Sequence, residues 1–187
     1  MQVVAICRQN SSAEDPVFTT AKIRRIDFDF ENWEELEKQI RAYNVNSTLT
    51  FFCCLGTTLN QVGGSQERFK LVDHHYVVNF AKLAVSCKAE QLLVVSSAGA
   101  DINSKVFYSR TKAEMERDVQ LTFKGRTHFM RPSLLLGDRK ELRPLERIGV
   151  LLAPIYSVLL IGKLKKYRPV YAGLVAKKMF LLSTTQY

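Results

Sequence analysis

"QLLVVSSAGAD", residues 91–101, decides the fold together with "VFYSRTKAEME", residues 106–116, just beyond it. The first opens as a short apolar run of the kind that forms a strand and ends in serines and a glycine, a turn composition. The second sets Tyr108 and Lys112 four apart at the start of a helical pattern, so phenol and ammonium share one helix face. Strand and helix patterns alternate along the rest of the chain. "MQVVAIC" (1–7), "KIRRIDF" (22–28), "STLTFFCC" (47–54) and "RTHFMRP" (126–132) read as further strands. Glu31 to Ala42 carries Trp33, Leu36 and Ile40 on one face, and Val72, Tyr76, Phe80, Leu83, Ala84 and Cys87 recur at helical spacing.

This alternation predicts an α/β fold with a parallel sheet and helices on both of its faces. No internal repeat, low-complexity segment or linker divides the 187 residues, and 47% hydrophobic content suffices for a packed core. A single domain over 1–187 is expected, with a substrate or interaction segment at about 138–187. In open sheets of this kind ligands bind beyond the carboxyl ends of the strands.

Charge narrows the partners only coarsely. The 27 basic against 18 acidic residues give +9, which favours anions such as nucleotides, phospholipids or nucleic acid. No helix-turn-helix, zinc-finger or RNA-recognition signature accompanies the charge, so specific nucleic-acid binding is not expected. Cys7, Cys53, Cys54 and Cys87 lack Cys-x-x-Cys spacing, and His74 and His75 are adjacent, with no carboxylate or cysteine at ligand spacing. Neither a metal site nor a disulfide framework is indicated: the cysteines read as reduced core residues of a cytoplasmic protein, the histidines as partly exposed helix residues. The apolar stretch "IGVLLAPIYSVLLIG" (148–162) is interrupted by Pro154 and shorter than the ~20 residues a spanning helix needs. With basic residues around it, it reads as a buried segment with a solvated basic rim, or else as a contact with a membrane surface.

Chemistry is concentrated after the strands. Leu55, Gly56 and Thr57 follow the third, where a glycine lets a ligand approach the backbone and a threonine offers a hydroxyl to ribose or phosphate; the same residues also make an ordinary tight turn. Ser96 and Ser97 follow the fourth, where a hydroxyl can donate to a substrate oxygen or serve turn chemistry. On the next helix the Lys112 charge favours tyrosinate at Tyr108, a general acid or base toward a carbonyl or hydroxyl. Serine, tyrosine and lysine in this order are more specific than any one alone. Arg131, Pro132 and Ser133 follow the fifth strand and lead to Gly137.

The stretches "FFCCLGTT" (51–58), "VDHHYVVNFAKLA" (72–84), "LLVVSSAGAD" (92–101), "YSRTKAEME" (108–116) and "RPSLLLGDR" (131–139) resemble atypical short-chain dehydrogenase/reductases, in particular the Tat-interacting-protein type of oxidoreductase-like protein. The resemblance implies a Rossmann fold that binds NADP(H) and acts on a carbonyl or alcohol of unassigned identity. It implies Ser97 as the substrate-polarising hydroxyl, Tyr108 as proton donor or acceptor, and Lys112 as the residue that holds the nicotinamide ribose. Leu55, Gly56, Thr57 and Ser96 would line the cofactor, with Arg131, Pro132 and Ser133 near its nicotinamide end.

The family's first strand, glycine-rich turn and helix, which receive the pyrophosphate, find no counterpart here, because the first glycine is Gly56. The sheet is therefore expected to be N-terminally incomplete, with the first β-α unit absent and the chain a shortened form of an NADP(H)-binding parent. "MQVVAICRQN" matches the family's second strand. Arg8 at its end suits the adenosine 2′-phosphate of NADP or serves as a solvated strand-end cation, and Asp27 matches a position near the adenine. Without a central strand, its neighbours either pair directly or present edges that invite a protein partner or a second copy. A non-catalytic regulatory or interaction protein on the same scaffold is the alternative function.

Overall fold

The structure is a computed structural model and describes residues 2–9, 22–43, 48–136 and 168–185. All five predicted strands form: β1 (Val3–Arg8), β2 (Ile23–Phe28), β3 (Thr50–Cys53), β4 (Gln91–Val95) and β5 (Arg126–Met130). The helices are α1 (Trp33–Tyr43), α2 (Gln66–Lys70), α3 (Tyr76–Ser86), α4 (Phe107–Thr122) and α5 (Ala172–Thr184), and a π-helical turn, Leu71–His75, joins α2 to α3. A short parallel pair, β6 (Leu135–Leu136) with β7 (Val170–Tyr171), leads into α5. Gly137, the apolar stretch 148–162 and most of the basic segment around it lie outside the described residues.

The central run "QLLVV" shows why its sequence does not alternate. β4 pairs in parallel with β3 on one side and β5 on the other. Leu92 and Val94 face a core completed by α1, α3 and α4 through Leu36, Ile40, Val77, Phe80 and Met115. Leu93 and Val95 face the opposite way, against Val175, Met179 and Leu182 of α5. With both faces covered, Leu92 to Val95 are all apolar, and only Gln91 at the start of the strand is polar. Helices thus lie on both faces, as the sequence implied.

Hydrogen bonding divides the main strands into two sheets, β1-β2 and β3-β4-β5. Both sheets contribute to one core, β1 and β2 through Val4, Ile6, Ile26 and Phe28, and β3 through Phe51 and Cys53. Among the described residues no ladder joins β1 to β3. Matched to the Rossmann order 3-2-1-4-5-6, the sheets correspond to 3-2 and 4-5-6, and the break falls where strand 1 belongs. Of the two outcomes expected for the neighbours of that position, direct pairing is not found among the described residues.

An aromatic group fixes the mouth of β2. Phe30 takes a left-handed backbone (φ 67), an uncommon conformation for a bulky side chain. Its ring stacks on Tyr76 at 4.9 Å, its carbonyl accepts the Trp33 indole N–H at 3.0 Å, and Phe28 packs 5.0 Å from it. The packing offsets the strain and joins β2, α1 and the start of α3.

Two sequence expectations need correction. His74 is buried, because α4 supplies a partner that its own helix does not; only His75 is exposed. Cys54 is exposed rather than in the core, whereas Cys53 is buried and its thiol is pushed up to about 12 by desolvation. Among the described residues no helix is long and apolar enough to cross a membrane.

Two glycines should respond oppositely to the same substitution. A Cβ on Gly125 would stand 2.7 Å from the Phe123 ring and 2.9 Å from the Glu90 carbonyl oxygen, whereas one on Gly173 in α5 meets nothing within 4 Å. Gly125→Ala should lower unfolding free energy by ~1–3 kcal/mol, and Gly173→Ala should raise it by up to ~1 kcal/mol. Denaturant melts of the two variants check both signs.

Candidate functional site

Helix α4 begins where its sequence supplies a start. The Val106 N–H donates to Ser104 Oγ at 3.1 Å, and the Arg110 guanidinium donates to the Ser104 carbonyl at 2.9 Å. Tyr108 therefore falls in the first turn, 37% exposed, with its ring 5.7 Å from that of Phe69 in α2. Lys112, one turn on, is buried. Phenol and ammonium leave one helix face, one toward solvent and one toward the core.

The lysine enters the core because a carboxylate meets it there. Lys112 Nζ lies 2.7 Å from Asp73 Oδ1 in the π-helical turn, and the side chains are 5% and 1% exposed. The second oxygen, Asp73 Oδ2, accepts the Thr57 N–H at 2.7 Å. A Cβ built on Gly56 would stand 3.4 Å from Asp73 Oδ1 and 3.9 Å from Lys112 Nζ. The mouth of β3, the π-helical turn and α4 thus meet at one point. Leu55 packs against the core beside it.

The mouth of β4 is tied to the same helix. Ser97 Oγ accepts the Gly99 N–H at 3.3 Å, and the Asp101 N–H donates to the Ser109 carbonyl at 3.2 Å. A Cβ at Gly99 would lie 3.3 Å from Ser109 Oγ and 3.9 Å from Ser97 Oγ, so the turn sits close against α4. Ser96 is buried, and its hydroxyl has no hydrogen-bond partner among the described residues.

At the mouth of β5, Arg131 makes a two-pronged pair with Glu116 of α4: Nε donates to Oε1 at 2.9 Å and Nη2 to Oε2. Hydrogen bonding to the buried carboxylate holds the guanidinium above its ordinary range. The Pro132 carbonyl accepts the Ala98 N–H at 2.9 Å, and Ser133 Oγ donates to the Arg168 carbonyl. These bonds lock the β5 mouth to α4 and to the β4 turn.

Arg8 and Asp27 stand apart, on the other sheet. Arg8 is exposed at the end of β1, in register with Phe28. The Asp27 carboxylate is bonded by Arg25 through Nη2 at 2.7 Å and Nε at 2.9 Å. A cleft of about 220 Å³ at the β2 mouth is lined by Asp27, Asp29, Asn32 and Glu35, and one of about 180 Å³ at the β5 mouth by Arg131, Pro132, Val175 and Lys178. Among the described residues no group of three or more His, Cys, Asp or Glu side chains is placed to hold a metal ion.

The fold is the Rossmann type of short-chain dehydrogenase/reductases. The solved structures that match are of this type: dTDP-4-dehydrorhamnose reductase from Bacillus anthracis, in complex with NADP, covers 100% of this chain and 73% of its own at 16% identity and a TM-score of 0.61. WbmG from Bordetella bronchiseptica, in complex with NAD and UDP, covers 82% of this chain and 52% of its own at 14% identity and a TM-score of 0.60. No family model matches the sequence. Curated relatives do: HTATIP2 of Rattus norvegicus is 32% identical over 143 residues, which is 76% of this chain and 55% of the relative. The mitochondrial protein FMP52-2 of Scheffersomyces stipitis is 32% identical over 130 residues, or 68% and 54% respectively. The chain belongs with the HTATIP2 and FMP52 proteins in one family, with a short-chain-dehydrogenase-like fold. It spans about half the length of the curated relatives it matches. The cytoplasmic expectation is overturned, because the FMP52 relatives are named mitochondrial and neither composition nor free thiols carried information against that compartment.

Sequence reading missed the acidic partners, Asp73, Glu116 and Asp118, each paired with a residue distant in sequence. Asp118 accepts from Arg117 Nε at 2.8 Å and pairs with His74 Nε2 at 2.9 Å. The Arg117 hydrogen bond, aided by His74, holds the Asp118 carboxyl below its ordinary value. A carboxyl depressed in the folded state contributes stability at pH values above its unfolded titration near ~4 and loses it as the pH falls through the folded value. Asp118→Asn should therefore be less stable than wild type at neutral pH, with the difference shrinking below about pH 4. Thermal melts between pH 7 and pH 3 would show the two curves converging.

Proposed function

We propose that the chain is an NADP(H)-dependent oxidoreductase-like protein that interconverts a carbonyl and an alcohol. The observation that carries the reading is the α4 face, with Tyr108 presented to solvent and Lys112 fixed one turn below it at the mouth of β3. The turn bearing Ser97 packs on the same end of α4.

The residues present fit the nicotinamide-ribose half of a dinucleotide. Gly56 leaves the backbone at the β3 mouth open to close approach, Lys112 carries three N–H donors of which Asp73 takes one, and the Ser96 hydroxyl is unpartnered among the described residues. Arg8 favours the 2′-phosphate of NADP, and the acidic Asp27, which would favour the free hydroxyl of NAD, is already bonded by Arg25. Bound nicotinamide would supply or accept the hydride. The protein's part is to place the substrate oxygen between the hydroxyls of Ser97 and Tyr108, to give it the Tyr108 proton in the reductive direction, and to hold Lys112 one turn below Tyr108 on the same helix face.

The compartment proposed is the mitochondrion, on the naming of the FMP52 relatives. A second reading, a non-catalytic interaction protein, is favoured by the break between β1 and β3, because unpaired strand edges recruit further strands.

NADPH oxidation against a panel of carbonyl compounds separates the two readings. Turnover by wild type should fall ~10²–10⁴-fold in Tyr108→Phe, with NADPH binding retained. Equal rates in the two proteins, or no turnover by a folded chain that binds NADPH, would contradict the catalytic reading.

A further inference from the structure

The cleft of about 180 Å³ at the mouth of β5 has a lining that the serine, tyrosine and lysine pattern does not use. Phe129 and Met130 of β5, Val170 of β7 and Val175 of α5 form apolar walls, Arg131 and Lys178 bring positive charge, and among the described residues no carboxylate lines it. Glu116 takes two of the five N–H donors that the Arg131 guanidinium carries, one on Nε and one on Nη2, so three remain. Lys178 is exposed and makes no hydrogen bond or ion pair among the described residues. The Glu116 carboxylate balances one of the two cations, which leaves a single net positive charge beside apolar walls. That combination suits a monoanion with an aliphatic body better than a phosphate monoester, which brings ~1.5–2 charges and three acceptor oxygens. The size is also selective: at ~30 Å³ per water the cleft holds about six waters, well below the ~300 Å³ at which pockets for whole ligands begin. It therefore takes a short acid or one end of a longer one. Its position follows from Pro132, which lines it and whose carbonyl accepts the Ala98 N–H at 2.9 Å, so the cleft adjoins the turn that carries Ser97.

We propose that this cleft is a subsite for the carboxylate end of a short aliphatic oxo acid, or of the matching hydroxy acid, with Arg131 and Lys178 as its cationic contacts. The substrate assignment rests on the oxidoreductase reading, whereas the binding of an aliphatic carboxylate does not. In the reductive direction the oxo acid gains a hydride from NADPH at carbon and the Tyr108 proton at oxygen, and its carboxylate stays unchanged in the cleft. Arg131 is held in place by Glu116 of the helix that presents Tyr108, so its free edge is preorganised. Lys178 reaches in from α5 on a flexible stem that can lie along the apolar wall while its ammonium meets the anion. The walls reject small inorganic anions by offering them nothing, and each methylene buried there raises affinity by up to ~4-fold.

Calorimetric titration of the 187-residue chain with hexanoate, butanoate, hexanol and inorganic phosphate tests the subsite without reference to turnover. Hexanoate should bind more tightly than butanoate, and hexanol and phosphate at least ~10-fold more weakly than hexanoate. Lys178→Met, a change at an exposed position, should weaken hexanoate at least ~10-fold, whereas Lys177→Met, exposed on the same helix but outside the cleft, should leave it unchanged. The proposal is overturned if hexanoate fails to bind the folded chain, binds no better than hexanol or phosphate, or is weakened equally by the two lysine variants, since equal loss means general attraction to a basic surface. The second readout is NADPH-dependent reduction of levulinate and of its methyl ester. Wild type should favour the acid, and Lys178→Met should remove that preference through KM with kcat little changed. Equal kcat/KM for acid and ester in wild type would overturn the substrate assignment. Hexanoate binding in the expected pattern without turnover of either compound supports the subsite and counts only against the oxidoreductase reading.

Discussion

The meeting of Lys112 and Asp73 in the core, at 2.7 Å and nearly out of reach of water, is the interaction on which the rest of the site depends. Removing each ion from water costs several kcal/mol, and the pair recovers this only through close geometry and the additional bond from Thr57. Breaking one partner alone leaves an unpaired buried charge, at a cost of ~3–5 kcal/mol. The pair is therefore a strong constraint on where α4 lies relative to β3. Four residues farther along α4, Glu116 grips Arg131 at the mouth of β5. Tyr108, Lys112 and Glu116 recur every four residues, so one helix face carries the proposed proton donor, its charge partner and the anchor to the neighbouring strand.

Against this firm half stands an open one. The β3-β4-β5 sheet has both faces covered at β4 and its strand mouths cross-linked by the Ala98, Ser109 and Arg131 bonds. The β1-β2 sheet shares the core but no ladder with it. The nicotinamide-ribose end of a dinucleotide would meet the firm half, and the adenosine end the other, through Arg8. Affinity for a whole dinucleotide then depends on how well two half-sheets that share a core but, among the described residues, no ladder keep their spacing.

Much of this was legible in the sequence, for identifiable reasons. "LLVV" (92–95) announced a strand buried on both faces because each of its residues is apolar, and the shared α4 face of Tyr108 and Lys112 was legible because a four-residue spacing is local. An interruption at strand 1 was expected from the Rossmann strand order, and among the described residues no ladder joins β1 to β3. The carboxylates were silent. Asp73, Glu116 and Asp118 take their meaning from partners on other elements, and a charged residue inside an amphipathic pattern looks like solvated surface. His74 was misread for the same reason, since its partner comes from α4 and not from its own helix.

The account stands or falls on whether this arrangement holds a nicotinamide dinucleotide, and calorimetric titration of the 187-residue chain with NADPH and then NADH tests that directly. The account predicts saturable binding of NADPH in preference to NADH, with thermal stabilisation equivalent to about 2.7 kcal/mol at a hundredfold excess over Kd. A folded chain that gives neither heat nor stabilisation with NADPH would contradict it.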